Sequence, residues 1–343
     1  MNWPEDPVAI LDGSRGRRLC WQLTWPAGSV PPGWQAYRRH DVAPDQLAAE
    51  LTAGATAAAD HLGSLTPAAA LDALEHSVSA ARYWQEPDDV DRALANPDVT
   101  SAMVPLATVL AASPATAWWA AGMDAVDQHT VVFDAMPAPP SAAAGAGLAR
   151  WQAKTLADEQ QAAERPSDPN ANWSGSWWSA PVLAGVCATT RALPNAGPVR
   201  LRLVEDAMGW EAATSQRIRV PAGARIFEIT GPRAWAELVA RYPVDVSRSR
   251  RHDWWRTTGR TGTWLIPDYL ALAAHFDAIH LTVAGYLTTA GRPVDIGSDA
   301  ASVLAGWDPD QTYWLTDPPT PTGTPQRWLA TDRTVPSRWT AAD

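Results

Sequence analysis

The sequence predicts an α+β fold, with a helical N-terminal half packed on a strand-rich C-terminal half that carries a mixed or mainly antiparallel sheet. Three observations carry this. Apolar residues recur at helical spacing before residue 165, and they alternate singly with polar ones in several segments after residue 199. The strand segments do not alternate regularly with helices, as a doubly wound sheet would require. At 343 residues, with 46% hydrophobic and 19% charged, the chain buries a core large enough to dispense with disulfide or metal staples.

Residues 1–40 read as an irregular segment with a short strand over Arg18 to Thr24. Residues 41–165 read as mainly helical. Leu47, Leu51, Ala55, Ala58 and Leu62 share one face of a helix that begins near Asp45. Thr66-Pro67 is a capping residue followed by proline at the first helical position, and Leu71, Leu74, Val78 and Ala81 supply the buried stripe behind it. Ser113-Pro114 repeats that start signal. The stretch Ser101 to Met123 holds no charge, but Pro105 and Pro114 interrupt it and Asp98 and Asp124 flank it. It therefore predicts two short buried helices and not a membrane span. Thr130 to Phe133 is a short strand, Met136 to Ser141 a linker and Ala142 to Arg165 a helix.

Residues 175–317 form the strand-rich region. Val199, Leu201 and Leu203 alternate with Arg200 and Arg202, and Ile218 and Val220 with Arg217 and Arg219, so each set predicts a half-buried strand. Arg225 to Thr230 is another strand. Pro232 and Pro267 each open a helix. Ile279 to Leu287 reads as a strand with His280, Thr282 and Tyr286 on its polar face, Gly306 to Asp310 as a turn, and Gln311 to Thr316 as the closing strand. Residues 318–343 read as a loose Pro/Thr-rich tail.

The formal charge of −10 excludes broad nucleic-acid binding, which needs a positive face. Lys154 is the only lysine, so Schiff-base chemistry has one place to happen. Cys20 and Cys187 predict free thiols in a reducing, cytoplasmic setting, and Met1 to Arg18 lacks the apolar core of a secretory signal. The phosphate-cradling G-x-x-x-x-G-K loop, the dinucleotide G-x-G-x-x-G turn, the zinc-binding H-E-x-x-H helix and the G-x-S-x-G elbow are all missing. No metal-ligand set stands out and the residues name no cofactor.

The sharpest local feature is Arg248 to Arg260, R-S-R-R-H-D-W-W-R-T-T-G-R, five arginines against Asp253. Charges this crowded call for compensation, by carboxylates across a fold interface or by an anionic ligand. On the ligand reading, Arg248, Arg250, Arg251 and Arg256 hold a phosphate or carboxylate, Trp254 and Trp255 stack on a ring, and His252 serves as acid or base. Trp177, Thr190 and Arg191, in a Trp- and hydroxyl-rich stretch, are further wall residues. Glu205, in Leu203 to Trp210, is a candidate general base. Arg82-Tyr83-Trp84 at a helix end is a weaker feature.

These residues point to binding of an anionic small molecule, nucleotide or phosphorylated. A NAD-using transferase is its enzymatic version, although Glu205 follows Thr189-Thr190 too soon and the last strands lack an acidic pair. The alternative is a structural or interaction protein whose arginine cluster pairs with an acidic surface. A carbohydrate-binding face built from the 20 tryptophans would require several coplanar exposed indoles.

Overall fold

A computed structural model describes residues 3, 5–24, 44–59, 65–134, 136, 143–182, 184–316 and 319–342. The linker expected at Met136 to Ser141 falls almost wholly outside the described residues. The N-terminal segment is helical where a strand was expected. A 3-10 turn over Pro7–Asp12 leads into α1 (Ser14–Thr24). Arg15, Leu19 and Cys20 instead form a helical stripe, and the helix packs against a later one over Pro67–Ser79.

The helical half continues with α2 (Pro44–Ala59), α3 (Pro67–Ser79), α4 (Asp89–Leu94), α5 (Pro97–Ala102) and α6 (Val104–Ala112). Their starts obey capping chemistry. Thr66 Oγ1 accepts from Ala69 N at 3.2 Å, Asp88 accepts from Asp91 N and Asn96 from Asp98 N. After α6 the chain turns by 86° into a 3-10 helix, Pro114–Ala120, with Ser113 capping the break. This is the uncharged stretch, and among the described residues no single helix is long and apolar enough to cross a membrane.

A long helix, α7 (Ala144–Gln161), separates β1 (Gln128–Phe133) from β2 (Ala188–Leu193), β3 (Gly197–Pro198), β4 (Ala212–Arg219) and β5 (Ile226–Ile229). The expected strand through Val199, Leu201 and Leu203 is a 3-10 turn over Val199–Leu201. Its arginines are drawn into ion pairs instead of a ladder: Arg200 with Asp308, and Arg202 with Asp72 and Glu75. Then come α8 (Pro232–Arg241), β6 (Pro243–Asp245), α9 (Arg251–Thr258), β7 (Thr263–Pro267) and the single turn α10 (Tyr269–Leu272), started by Asp268.

Ile279 to Leu287 also departs from expectation. It divides into β8 (Ala278–Leu281) and α11 (Val283–Thr289), with the Thr282 hydroxyl accepting from Gly285 N at 2.9 Å. Thr282 is thus a helix cap, and Tyr286 lies on a helix rather than a strand face. The chain ends with β9 (Pro293–Gly297), β10 (Ala300–Val303), β11 (Thr312–Trp314), β12 (Thr320–Pro321), β13 (Gln326–Asp332) and β14 (Arg338–Ala341). Far from being a loose tail, β13 and β14 form a hairpin that extends the main sheet. Trp328 donates to Ser215, and Trp339 packs against Phe133.

The main sheet runs β14-β13-β4-β1-β2-β11-β8-β5, with β12 on β4 and β3 on β2. Its pairings are antiparallel except β5–β8, which is parallel. A second sheet, β6-β7-β10-β9, mixes both senses. The fold is therefore α+β with mixed sheets, as the sequence predicts. One hydrophobic cluster runs from Trp3 through the helical half to Leu315 and joins the two halves.

Candidate functional site

The arginine segment is paired in part by the protein's own acids. Helix α9 is a core helix: His252, Asp253 and Trp254 are buried, and Trp254 Nε1 donates to Trp177 O at 2.9 Å. Helix α7 supplies the compensating acids. Glu159 accepts from the backbone N–H groups of Arg248 and Ser249 at 2.9 and 2.8 Å, and Asp158 pairs with Arg165 and, at 3.4 Å, with Arg250. Burial pushes the Arg250 guanidinium down to about 10, against the pull of Asp158 and Glu159. Arg256 pairs with Asp253 at 2.5 Å and donates to Trp84 O and Trp173 O. Arg251 reaches Ala162 O, and Arg260 reaches Asp299 O and lies over Trp264. His252 faces Pro166 O at 3.1 Å, and burial, with the Arg251 charge, lowers its pKa.

Within this segment Arg250 and Arg256 have carboxylate partners, whereas the Arg248 side chain is exposed and Arg251 has only the Ala162 carbonyl, with its Nε buried and unpaired. Trp255 is half-buried on the same helix, and Trp177 packs against Trp84 and Trp178 at centroid distances of 4.7 and 5.1 Å. Among the described residues Trp173 is the one exposed tryptophan.

Two other predicted residues, Thr190 and Arg191, do take part in a polar site, and a loop read as a simple turn organises it. Residues Trp307 to Gln311 (W-D-P-D-Q) are buried, which is unusual for a connection. Asp310, at a φ of +59°, accepts from Arg191 N (2.9 Å), Arg191 Nε (2.5 Å), Thr190 Oγ1 (3.0 Å) and His280 Nε2 (3.3 Å). On the other side of the ring, His280 Nδ1 donates to Glu228 Oε2 at 2.6 Å. The β5–β8 register sets Glu228 beside His280, and Met123 N fills the second Glu228 oxygen at 2.9 Å. Burial opposes the imidazolium, yet hydrogen bonds to Asp310 and Glu228 outweigh it and bring His280 up to about 9. Burial would raise Asp310, but His280 and Arg191 hold it below its ordinary value. With both ring nitrogens donating and Arg191 closing the far side, this group ties β2, β11, β8 and β5 together.

Two residues earlier in the loop, Asp308 Oδ1 accepts from Glu205 N at 2.9 Å and Oδ2 from Arg200 Nε at 3.3 Å. Glu205 Oε2 accepts from Gly306 N at 2.8 Å, whereas its Oε1 and the hydroxyls of Tyr83 and Tyr286 make no aligned hydrogen bond although they crowd together. Burial first, and the Asp308 charge second, push Glu205 up to about 8, so it carries a proton at neutral pH. Gly306 makes this possible: at φ +74°, a Cβ there would lie 2.3 Å from Trp178.

In front of Tyr83 lies a cleft of about 260 Å³ between the start of α1, residues 80–95, the end of α9 and Gly291–Pro293. Gly291 (φ +72°) lets the backbone touch the Tyr83 ring, since a Cβ would come within 2.2 Å of it. Five arginines, Arg15, Arg17, Arg82, Arg92 and Arg292, line the cleft together with four acids, Asp12, Glu86, Asp88 and Asp91. Arg15 is paired with Asp91 and donates to Ser77 O, and Arg92 is paired with Asp89. The neighbouring Arg18 pairs with Asp88. Arg292 lies 3.7 Å from Asp12. Arg17 is different. Its Nη1 donates to the carbonyls of Leu11 (2.7 Å) and Asp12 (3.1 Å), its Nε is buried with no acceptor, and it makes no carboxylate pair among the described residues. Burial lowers its pKa and the charges of Arg15 and Arg292 add to that, while Asp91 above all, and Asp12, pull it back up.

Arg82 and Tyr83 of this cleft belong to the weaker feature Arg82-Tyr83-Trp84; its other arginines did not stand out in sequence, though S-R-G-R-R at a helix start without an acid in its first turn was a signal. Of the predicted residues, Trp177 lies on the arginine segment through Trp254, whereas Arg191 and Glu205 lie on the buried loop, at Asp310 and Asp308. No group of three His, Cys, Asp or Glu there could hold a metal ion, and burial pushes both thiols, Cys20 and Cys187, to about 12. Compared with known proteins, the chain matches no family model, no curated protein and no solved structure.

Proposed function

We propose that this protein binds an anionic small molecule, a phosphorylated or carboxylate compound, in the arginine-lined cleft at the start of α1. The observation that supports this reading is Arg17. A desolvated cation without a carboxylate partner is costly, and here it sits at the positive end of a helix beside Arg15. An anion relieves all three penalties together: it supplies an acceptor, neutralises charge and complements the helix dipole. Binding pockets for drug-sized ligands span about 300–1,000 Å³. A cleft of about 260 Å³ suits a sugar phosphate or a tricarboxylate better than a dinucleotide, which weighs against NAD as the guest.

Thermal shift and calorimetry with pyrophosphate and citrate test the reading. Each should raise the Tm of the wild type, and Arg17→Ala with Arg292→Ala should weaken binding by about tenfold or more, the loss expected for charge-assisted hydrogen bonds. Arg250→Ala should lower the Tm without changing the ligand-induced increment. Arg17→Ala alone should cost far less stability than Arg15→Ala, because Arg17 is tuned for a guest and not for the fold. Equal destabilisation by the two, or no response to either anion, removes the reading.

A further inference from the structure

We propose that the guest of the cleft is a small phosphorylated amine, its phosphate held by Arg17 and Arg82 and its ammonium group by Glu86. This rests on the cleft being the ligand site and names the chemical class that site takes. The charge left over in the lining carries the inference. Five arginines face four acids, so the walls hold one surplus positive charge. Most of these groups are already matched. Arg15 pairs with Asp91, and Arg292 lies 3.7 Å from Asp12. Arg92 pairs with Asp89, and Asp88 with Arg18 at 2.8 Å; Asp89 and Arg18 are not lining residues and offset one another. Among the described residues, three lining groups keep no partner of opposite charge: Arg17, Arg82 and Glu86.

The two arginines are oriented but not satisfied. Arg17, on α1, spends Nη1 on the carbonyls of Leu11 and Asp12. Arg82, in the turn after α3, spends Nη1 on the carbonyls of Ser79 (2.8 Å) and Ala81 (2.6 Å) and lies over the Trp84 ring. In both, Nη2 has no acceptor among the described residues, and carbonyl contacts leave the charge of the guanidinium unanswered. Glu86, between Arg82 and α4, is exposed and makes no hydrogen bond or ion pair among the described residues. A bare phosphate would answer the arginines but place its charge in the same cleft as this carboxylate. A phosphomonoester with an ammonium group a few atoms away answers all three. Its phosphate carries close to two negative charges near neutral pH, so the single negative charge of the whole compound matches the single surplus charge of the lining. A phosphodiester, as in a lipid headgroup, carries one charge and leaves one arginine unanswered.

O-phosphoethanolamine and ethyl phosphate are matched probes, alike in the phosphate and different in the ammonium group. Calorimetry at about pH 7.5 and fixed ionic strength should give the wild type a Kd for O-phosphoethanolamine about fivefold lower, the gain of one exposed ion pair at the upper end of its range. Glu86→Gln should bring the two Kd values together. Because Glu86 is exposed, this variant keeps the fold and reads binding alone. Arg82→Ala should weaken both probes by the same factor. Glycerophosphoethanolamine, which carries the ammonium group on a phosphodiester, should bind more weakly than O-phosphoethanolamine. Equal affinity for the matched probes in the wild type, or a preference that survives in Glu86→Gln, overturns the ammonium site and leaves the cleft standing. A diester that binds as tightly as the monoester overturns the phosphomonoester. If neither matched probe binds although pyrophosphate does, the class is wrong and the cleft stands; if pyrophosphate fails as well, both fall together.

Discussion

His280 shows how one side chain sets the conditions under which the fold holds. Its ring is fully buried and both nitrogens donate to carboxylates, so the imidazolium is the form the structure stabilises. Its pKa rises from an ordinary 6.5 to about 9, so its contribution is complete below about 6.5 and is lost as pH climbs through about 9. Glu205 works over a lower window. A carboxyl raised from 4.5 to about 8 erodes stability progressively between those values. The wild type should therefore lose Tm steadily on the alkaline side of neutrality. Glu205→Gln should remove the part of the decline that falls between about 4.5 and 8, and His280→Gln the part between about 6.5 and 9, so that above about pH 8 only His280→Gln flattens it. Because His280→Gln leaves Glu228 and Asp310 facing each other without their shared cation, it should also cost on the order of 3–5 kcal/mol near neutral pH. Urea unfolding at several pH values would show this, and an unchanged alkaline slope in His280→Gln would mean the ring is neutral in the folded protein.

Among the elements, the C-terminal hairpin is the one whose role is least evident from its sequence. Q-R-W-L-A-T-D and R-W-T-A are short, half-exposed and rich in arginine, and the Pro/Thr run before them reads as a spacer. What makes them strands is their partner: β4 offers an open edge, and Trp328 and Trp339 have Ser215 and Phe133 to meet. The hairpin is also latched to α3, through Arg338 on Asp72 and Ser337 N on Glu75. A chain ending at residue 325 should uncover the edge of β4 together with two indole contacts. A Tm lower by about 5–10 °C and a tendency to self-associate are expected, read by calorimetry and size-exclusion chromatography. A truncated chain as stable and monomeric as the full one would mean that the hairpin is only draped on the sheet.

For the molecule as a whole, the local grammar of helix starts was legible: Thr66-Pro67, Ser113-Pro114 and Pro232 all begin helices where capping chemistry puts them. So was the change from helices to sheets. What stayed hidden depended on partners distant in the chain. Val199 to Leu203 has a strand's alternation, but Arg202 is claimed by Asp72 and Glu75 more than 120 residues away. Within Arg248 to Arg260, Arg250 finds Asp158 of α7 and Arg256 finds Asp253 on its own helix, pairings that only the fold brings out. Those long-range ties also bear on whether the two halves are separable. The hydrophobic cluster that begins at Trp3 includes Trp119 of the helical half and Trp235, Trp254 and Trp307 of the strand-rich half. The ion pairs of Arg202 and Arg338 with α3 cross the same boundary. Halves that share one core and its polar clasps cannot lose either without exposing apolar surface on the other. Heat should therefore unfold the protein in a single transition, with calorimetric and van't Hoff enthalpies in agreement, and residues 1–165 alone should not give a cooperative transition. Two resolved transitions would show that the halves hold their own cores and that the contacts between them are secondary.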